Sequence, residues 1–205
     1  MRIAVVLGVC GALLLGACGG SNKAIVSTDP SSTTVSADGG TTSTTQVLST
    51  TSLPCQPIPI PTTPVTSPIA ADAVLLTKVQ LLGDNCVDHV VFDFDAKGST
   101  PPGYTVTYGT PPFTADASGA PVPVTGNAFV VVKVQHGYGY DFAAAKQTYT
   151  GPKSVPVSSS NHVRSIVETG DFEGVLTWVI GLDAKRPFSV QATGTPNHQL
   201  VVTIS

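Results

Sequence analysis

Residues 88–94 read Asp-His-Val-Val-Phe-Asp-Phe, a run in which apolar and polar side chains largely alternate. Val90, Phe92 and Phe94 fall on one face of an extended chain. The opposite face carries His89, Val91, Asp93 and Asp95. A period of two is typical of a β-strand with one buried face. The run therefore predicts a strand that packs Val and Phe side chains into a core.

A similar pattern of short apolar runs extends over the C-terminal two-thirds of the chain. Short β-branched and aromatic runs bounded by Gly, Pro, Asn or Asp predict strands at residues 74–82, 89–94, 104–108, 128–135, 163–168, 174–181, 188–192 and 199–204. No long segment has a helical period, and the best helical candidate, residues 141–146, is little more than one turn. The connection 137–161 is expected to run over the surface. We predict an all-β domain at residues 71–205, a β-sandwich of about eight short strands.

Residues 18–70 differ in composition and predict a disordered tether. From residue 21 to 68 the chain is mostly Ser, Thr and Pro, and its charged residues are Lys23, Asp29 and Asp38. Such a segment has too little apolar surface to offset the entropy that ordering costs. Its Pro-rich part, residues 54–68, favours extended polyproline geometry, so the tether is expected to hold the domain away from a membrane.

The N-terminus has the layout of a lipoprotein signal peptide at residues 1–17. Arg2 precedes an apolar run, residues 3–15, that is shorter than the ~20 residues of a membrane-spanning helix. The run ends in Leu15-Gly16-Ala17-Cys18, which resembles a lipobox. We expect cleavage before Cys18, acylation of Cys18 with chains such as palmitate, and a lipid anchor on the extracytoplasmic face of the cell membrane. The alternative is an ordinary signal peptide that is cleaved elsewhere.

Cysteine usage and charge restrict the compartment and the partners. With Cys10 in the leader and Cys18 acylated, Cys55 and Cys86 remain, and in an oxidising compartment they predict one disulfide. Two free buried thiols are the alternative. The formal net charge is -3, from 10 basic and 13 acidic residues, and no basic patch is present to neutralise phosphates. Nucleic-acid binding is therefore not expected.

Two groups of polar or aromatic residues invite a functional interpretation. His89, Asp93 and Asp95 share a strand face, but neighbours on one face lie ~7 Å apart, so a solvated face is expected rather than a metal site. Beside His136, the loop Gly137-Tyr138-Gly139-Tyr140 is able to stack sugars or to form an aromatic-packed turn. Loops on rigid scaffolds often carry binding sites, which makes Tyr138 and Tyr140 candidates.

Asp171 and Glu173 flank Phe172 in a Gly-bounded segment. Two carboxylates are able to perform acid–base chemistry on a glycosidic bond, but within one turn we expect them to set turn geometry while Phe172 packs inward. The chain has neither a Gly-x-Ser-x-Gly nor a Ser-x-x-Lys motif, and no dinucleotide or Walker fingerprint. We predict a protein that is not an enzyme and has no cofactor, with a possible binding surface at Asp171, Glu173, Tyr138 and Tyr140.

The order of the segments resembles the AMIN-like domain of lipoproteins from high-GC Gram-positive bacteria, over roughly residues 73–205. The most specific parts are Gly170-Asp171-Phe172-Glu173-Gly174 and the closing Leu200-Val201-Val202-Thr203-Ile204. The chain departs from the family at three positions. His89 stands in place of an Arg, Gln199 in place of an Arg before the closing apolar pair, and Thr203 in place of an Asp after it. The resemblance implies a β-sandwich associated with peptidoglycan and no catalysis.

Three functions compete at this point. The first is a non-catalytic envelope module that binds cell-wall polymer or an envelope protein partner. The second is a lipid or glycolipid carrier, which needs an apolar cavity that a solid core of one-sided strands does not provide. The third, a wall hydrolase, is disfavoured by the missing nucleophile and metal motifs.

Overall fold

A computed structural model describes residues 59–61, 63–84 and 86–205. Thirteen strands lie in this part of the chain, which confirms the all-β prediction. All eight predicted strands are present, with ends shifted by a few residues. The described residues include no helix able to span a membrane. The strands are β1 Val65–Ser67, β2 Val74–Gly83, β3 Asp88–Ala96, β4 Gly103–Gly109, β5 Ala128–Gln135, β6 Gly137–Tyr138, β7 Tyr140–Asp141, β8 Lys146–Gln147, β9 Ser154–Val155, β10 Val163–Phe172, β11 Val175–Leu182, β12 Phe188–Thr193 and β13 His198–Ile204.

Two sheets pack face to face as a β-sandwich. The six-stranded sheet has the order β1-β4-β5-β11-β10-β9, and the five-stranded sheet has the order β12-β13-β3-β2-β6. Edge-to-face aromatic pairs join them: Phe92 of β3 lies 5.9 Å from Trp178 of β11, and Tyr108 of β4 lies 5.2 Å from Phe188 of β12, between ring centroids. The space between the sheets is filled by large apolar side chains, because both sheets turn their apolar faces inward.

The alternation read from residues 88–94 matches the burial of β3 except at Val91, which was predicted on the outward face but is buried. Val90 and Phe92 are fully buried and Phe94 nearly so, whereas His89 and Asp93 are half-buried and Asp95 is exposed. β11 lies at the centre of the six-stranded sheet, and both of its faces are covered. On its outer face the Thr177 hydroxyl donates to the Asp116 carboxylate at 2.8 Å, so the connection between β4 and β5 covers this face.

The structure differs from the sequence predictions in the connections. β1, which pairs antiparallel with β4, lies inside the range 18–70 predicted as tether. Three residues are too few for a sequence period to reveal a strand. Residues 141–146 form turns and the ends of a small β7–β8 hairpin rather than a helix. The connection 137–161 also contributes β6 to the five-stranded sheet and β9 to the six-stranded sheet.

The chain changes sheets at His136. β5 belongs to the six-stranded sheet, and β6, one residue later, pairs parallel with β2 in the other sheet. His136 makes this corner with a φ of 56°, in the left-handed region that few non-glycine residues adopt. Its backbone carbonyl accepts a hydrogen bond from the Val74 N–H at 3.0 Å, which fixes the corner to the start of β2.

Candidate functional site

An open pocket lies at this corner, beside the first residues of β2 and the last residues of β3. We call it the corner pocket; its volume is about 330 Å³. Such a volume is at the small end of the range for ligand sites in proteins, which is ~300–1,000 Å³. The side chains that line it include Asp72, Asp95, Lys97, His136, Tyr138, Tyr140, Asp141 and Phe142.

Aromatic rings form one wall of the corner pocket. The Phe142 ring lies 5.5 Å from the Tyr138 ring and 5.2 Å from the Tyr140 ring, with interplanar angles of 87° and 67°. His136 continues the cluster, 6.0 Å from Tyr138. Phe142 is 72% exposed, which is unusual for so large an apolar side chain next to a concave site. The loop that the sequence singled out through Tyr138 and Tyr140 therefore faces solvent with aromatic surface.

Carboxylates form much of the rest of the wall. Asp72 and Asp95 are exposed, and neither side-chain carboxylate has a hydrogen bond or an ion pair within the part of the chain that the structure describes. Asp141 is partly engaged, since its Oδ1 atom accepts hydrogen bonds from the backbone N–H groups of Ala143 and Ala144 at 2.8 and 3.1 Å. The site therefore combines apolar rings with carboxylates that are available to a ligand.

Asp171 stabilises the loop that carries Tyr138 and Tyr140 through a hydrogen bond to its backbone. Its Oδ2 atom accepts a hydrogen bond from the Gly139 N–H at 2.9 Å, which connects the β10–β11 hairpin to the residue between the two tyrosines. Asp171 does not line the corner pocket but borders a separate, smaller depression with Tyr149 and Glu168. Burial and the charge of Glu168 raise the pKa of Tyr149 to about 12, so this phenol stays protonated.

Glu173 shapes the hairpin turn between β10 and β11. Glu173 and Gly174 have φ values of 51° and 76°, the left-handed pair of a two-residue type I′ turn. Glycine suits position 174 because its φ of 76° is strained for a residue with a Cβ, and a Cβ there would lie 2.8 Å from the Tyr138 hydroxyl, which would have to shift. Phe172 is 46% exposed, so the expectation that it packs inward is wrong; the turn points it into solvent.

Comparison with family models finds the AMIN-like domain at residues 74–205. This chain belongs to the AMIN-like family. The range agrees with the resemblance read from the sequence, and AMIN-like domains are in general non-catalytic binding modules associated with the cell wall. No curated protein and no solved structure matches the chain.

His89, Gln199 and Thr203, which the sequence reading expected to differ from the family, lie on one face of β3 and β13. His89 Nδ1 and Thr203 Oγ1 share a hydrogen bond at 2.9 Å, and Gln199 donates to Asp93 at 2.7 Å. These three residues thus make cross-strand contacts between β3 and β13 and do not line the corner pocket. Within residues 63–84 and 86–205, no group of three His, Cys, Asp or Glu side chains is arranged to hold a metal ion.

Asp88 is the important residue that sequence reasoning missed. It is fully buried, and its two oxygens accept hydrogen bonds from the backbone N–H groups of Asn161, His162 and Val163 at 3.0, 2.6 and 2.9 Å. It therefore fixes the start of β3 to the start of β10 in the opposite sheet. The signal was a carboxylate at the first position of an otherwise apolar-faced strand.

Cys18, the predicted lipidation site, and Cys55, the predicted disulfide partner of Cys86, lie outside the described residues. The lipidation and the disulfide therefore stay predictions. Cys86 is half-buried on the turn between β2 and β3, where its backbone N–H donates to Asp84 Oδ1 at 2.8 Å.

Proposed function

We propose that the protein is a cell-envelope lipoprotein whose AMIN-like domain binds cell-wall polymer without catalysis. The observation that supports this most directly is the family match over residues 74–205, since AMIN-like domains are associated with peptidoglycan. The corner pocket gives the proposal a location, because it combines solvent-facing aromatic rings with free carboxylates on a rigid sheet edge. An envelope protein partner is the second candidate ligand of the same surface.

Purified cell wall provides the direct test. We expect the full chain to sediment with wall material, and Tyr138→Ala and Asp171→Ala to weaken sedimentation more than a scrambled sequence in the predicted tether does. Asp171 acts here through its bond to Gly139. Each variant is first checked for an unchanged melting temperature. If only the tether variant loses binding, the domain is not the recognition element.

The proposed anchor is an acylated Cys18. Support comes from the motif at residues 15–18, and each buried methylene of an acyl chain adds about 0.8 kcal/mol of membrane affinity. We expect Cys18→Ala to move the protein from the detergent phase of a two-phase extraction to the culture medium. Retention of the variant in the detergent phase would contradict the anchor and leave wall binding untouched.

The alternative of a lipid or glycolipid carrier has weaker support. A carrier needs an apolar cavity, whereas the space between the two sheets holds Trp178, Phe92 and Phe188, all at most 2% exposed. Mass spectrometry of the purified protein separates the two functions. Stoichiometric co-purified lipid would favour the carrier, and its absence together with wall binding would favour the wall module.

A further inference from the structure

We propose that the corner pocket binds a primary ammonium group carried on a peptide stem of the cell wall. The proposal rests on the proposed function and names the part of the polymer that is recognised. It commits to the peptide rather than the glycan strand, because the shape and charge of the pocket favour a compact cation over a neutral sugar ring.

The arrangement of the rings is the first argument. A sugar stacks on a flat aromatic face, but the Phe142 ring is steeply inclined to both tyrosine rings, at 87° and 67°. These three rings therefore do not form one continuous platform. Phe142 instead packs edge-to-face against both tyrosine rings, and a ring face that borders the pocket attracts an ammonium group through cation–π interaction.

The charge of the pocket is the second argument. Three carboxylates, Asp72, Asp95 and Asp141, line it against one ammonium, Lys97. Lys97 makes no ion pair with them within the described residues, so their charge is not neutralised internally. A cationic ligand thus gains both from the negative field and from the electron-rich ring faces.

The chemistry of wall polymers supplies the matching group. Peptide stems contain a diamino acid whose side-chain amine is protonated at neutral pH when it is not cross-linked. The amino groups of the glycan strand are usually acetylated and carry no charge. With a volume of about 330 Å³, the corner pocket accommodates the end of one such side chain while the rest of the polymer stays outside.

The experiment compares two peptides that differ in one charge. The full chain, purified in detergent, is titrated calorimetrically with the N-acetylated stem tripeptide L-Ala-γ-D-Glu-L-Lys, and with the same peptide acetylated on its lysine amine. We expect acetylation of the lysine to weaken binding about tenfold or more. We expect chitotetraose, as the glycan probe, not to compete with the free-amine peptide.

Matched variants place the effect in the corner pocket. Asp95→Asn and Phe142→Ala are each expected to weaken binding of the free-amine peptide about two- to fivefold. Asp93→Asn removes the same charge from the same strand outside the pocket, and Phe172→Ala removes another exposed Phe. Both controls are expected to change the affinity by less than about twofold, since neither side chain lines the pocket.

The outcomes separate this inference from the proposed function. Equal affinity for the two peptides, or displacement of the free-amine peptide by chitotetraose, overturns the ammonium site even when the protein still sediments with wall. Binding of the free-amine peptide by a protein that does not sediment with intact wall overturns the proposed function and leaves the ammonium site standing. Loss of binding in Asp93→Asn equal to that in Asp95→Asn also contradicts the site.

Discussion

The two ends of β3 carry the same residue type in opposite environments. At its start, Asp88 is fully buried and accepts hydrogen bonds from three consecutive backbone amides of the opposite sheet. Near its end, Asp95 is exposed at the corner pocket, and its carboxylate has no polar partner within the described residues. The Asp88 carboxylate is fully used in hydrogen bonds that hold the fold together, whereas the Asp95 carboxylate is available to a ligand.

The comparison shows how a sandwich of low charge separates stability from binding. At the start of β3, which we call the Asp88 end, internal hydrogen bonds satisfy the carboxylate, because a buried carboxylate without partners would cost several kcal/mol of stability. At the corner-pocket end of β3 the carboxylates need no such partners, since they remain in contact with water. The predictions below test this division, from the largest expected effect to the smallest.

Replacement of Asp88 by Ala is expected to give the largest loss of stability. Three N–H groups, of which that of Val163 is buried, would lose their acceptor, which we expect to lower the free energy of unfolding by about 3–5 kcal/mol. Urea denaturation of the variant measures this loss. Asp88→Asn retains one acceptor oxygen and should lose less. A loss below 1 kcal/mol for Asp88→Ala would remove the distinction between the two ends.

The predicted Cys55–Cys86 disulfide would strengthen the Asp88 end further, because Cys86 lies just before β3. In the chain-entropy model, such a bond stabilises the fold by about 3–4 kcal/mol. Reduction of the exported protein should therefore lower its melting temperature, and Cys86→Ser should not respond to the reductant. Peptide mapping without reductant should find the cross-linked pair. Two freely alkylated thiols in native protein would exclude the bond.

The stability of the fold should also fall in acid because of a carboxylate near Asp88, namely Asp183. Asp183, whose N–H donates to the His162 carbonyl, has its pKa lowered from 3.8 to about 2, chiefly by its hydrogen bond from Arg186. The pKa is lower in the folded state, so the contribution is present above pH 4 and is lost as the pH falls toward 2. With discount for partial exposure, the loss is about 1–2 kcal/mol.

The variant Arg186→Gln isolates this contribution. It should be less stable than the wild type at neutral pH, and the difference should shrink as the pH approaches 2, as followed by urea denaturation across the pH range. A constant difference at every pH would assign the effect of Arg186 to packing rather than to the charge of Asp183.

Replacement of Asp95 by Ala should give the smallest effect on stability. An exposed side chain without partners contributes little, so we expect a change within about 0.5 kcal/mol. The same urea measurement serves as the reference for Asp88→Ala. A loss comparable to that of Asp88→Ala would mean that both carboxylates are structural.

Sequence patterns were sufficient to predict the long strands but not the corner at His136, where the chain changes sheets. Eight strands followed from alternation and from turn residues, because six or more residues with one buried face leave a readable period. The two residues of β6 leave none. No local pattern indicates that His136 adopts a φ of 56° and moves the chain to the other sheet, since contacts with β2 impose that conformation.

The candidate site was predictable in part. Tyr138 and Tyr140 were found because Gly-rich aromatic loops stand out in a low-charge chain. Asp72 was not found, and Asp95 was interpreted only as part of a solvated strand face, because residues far apart in sequence meet only once β6 has paired with β2. Asp171 was recognised for its charge, yet its contact is with the Gly139 backbone, which a sequence does not display.

β13 lies between β12 and β3, and it joins His89 to Thr203 across 114 positions of the chain. A ribosome delivers residues 198–204 after every other strand of this sheet. The edge of β3 that pairs with β13 therefore has no partner until synthesis has reached the end of β13. Of the strands of this sheet, the last to be synthesised is thus the one that joins β12 to β3 and completes the sheet.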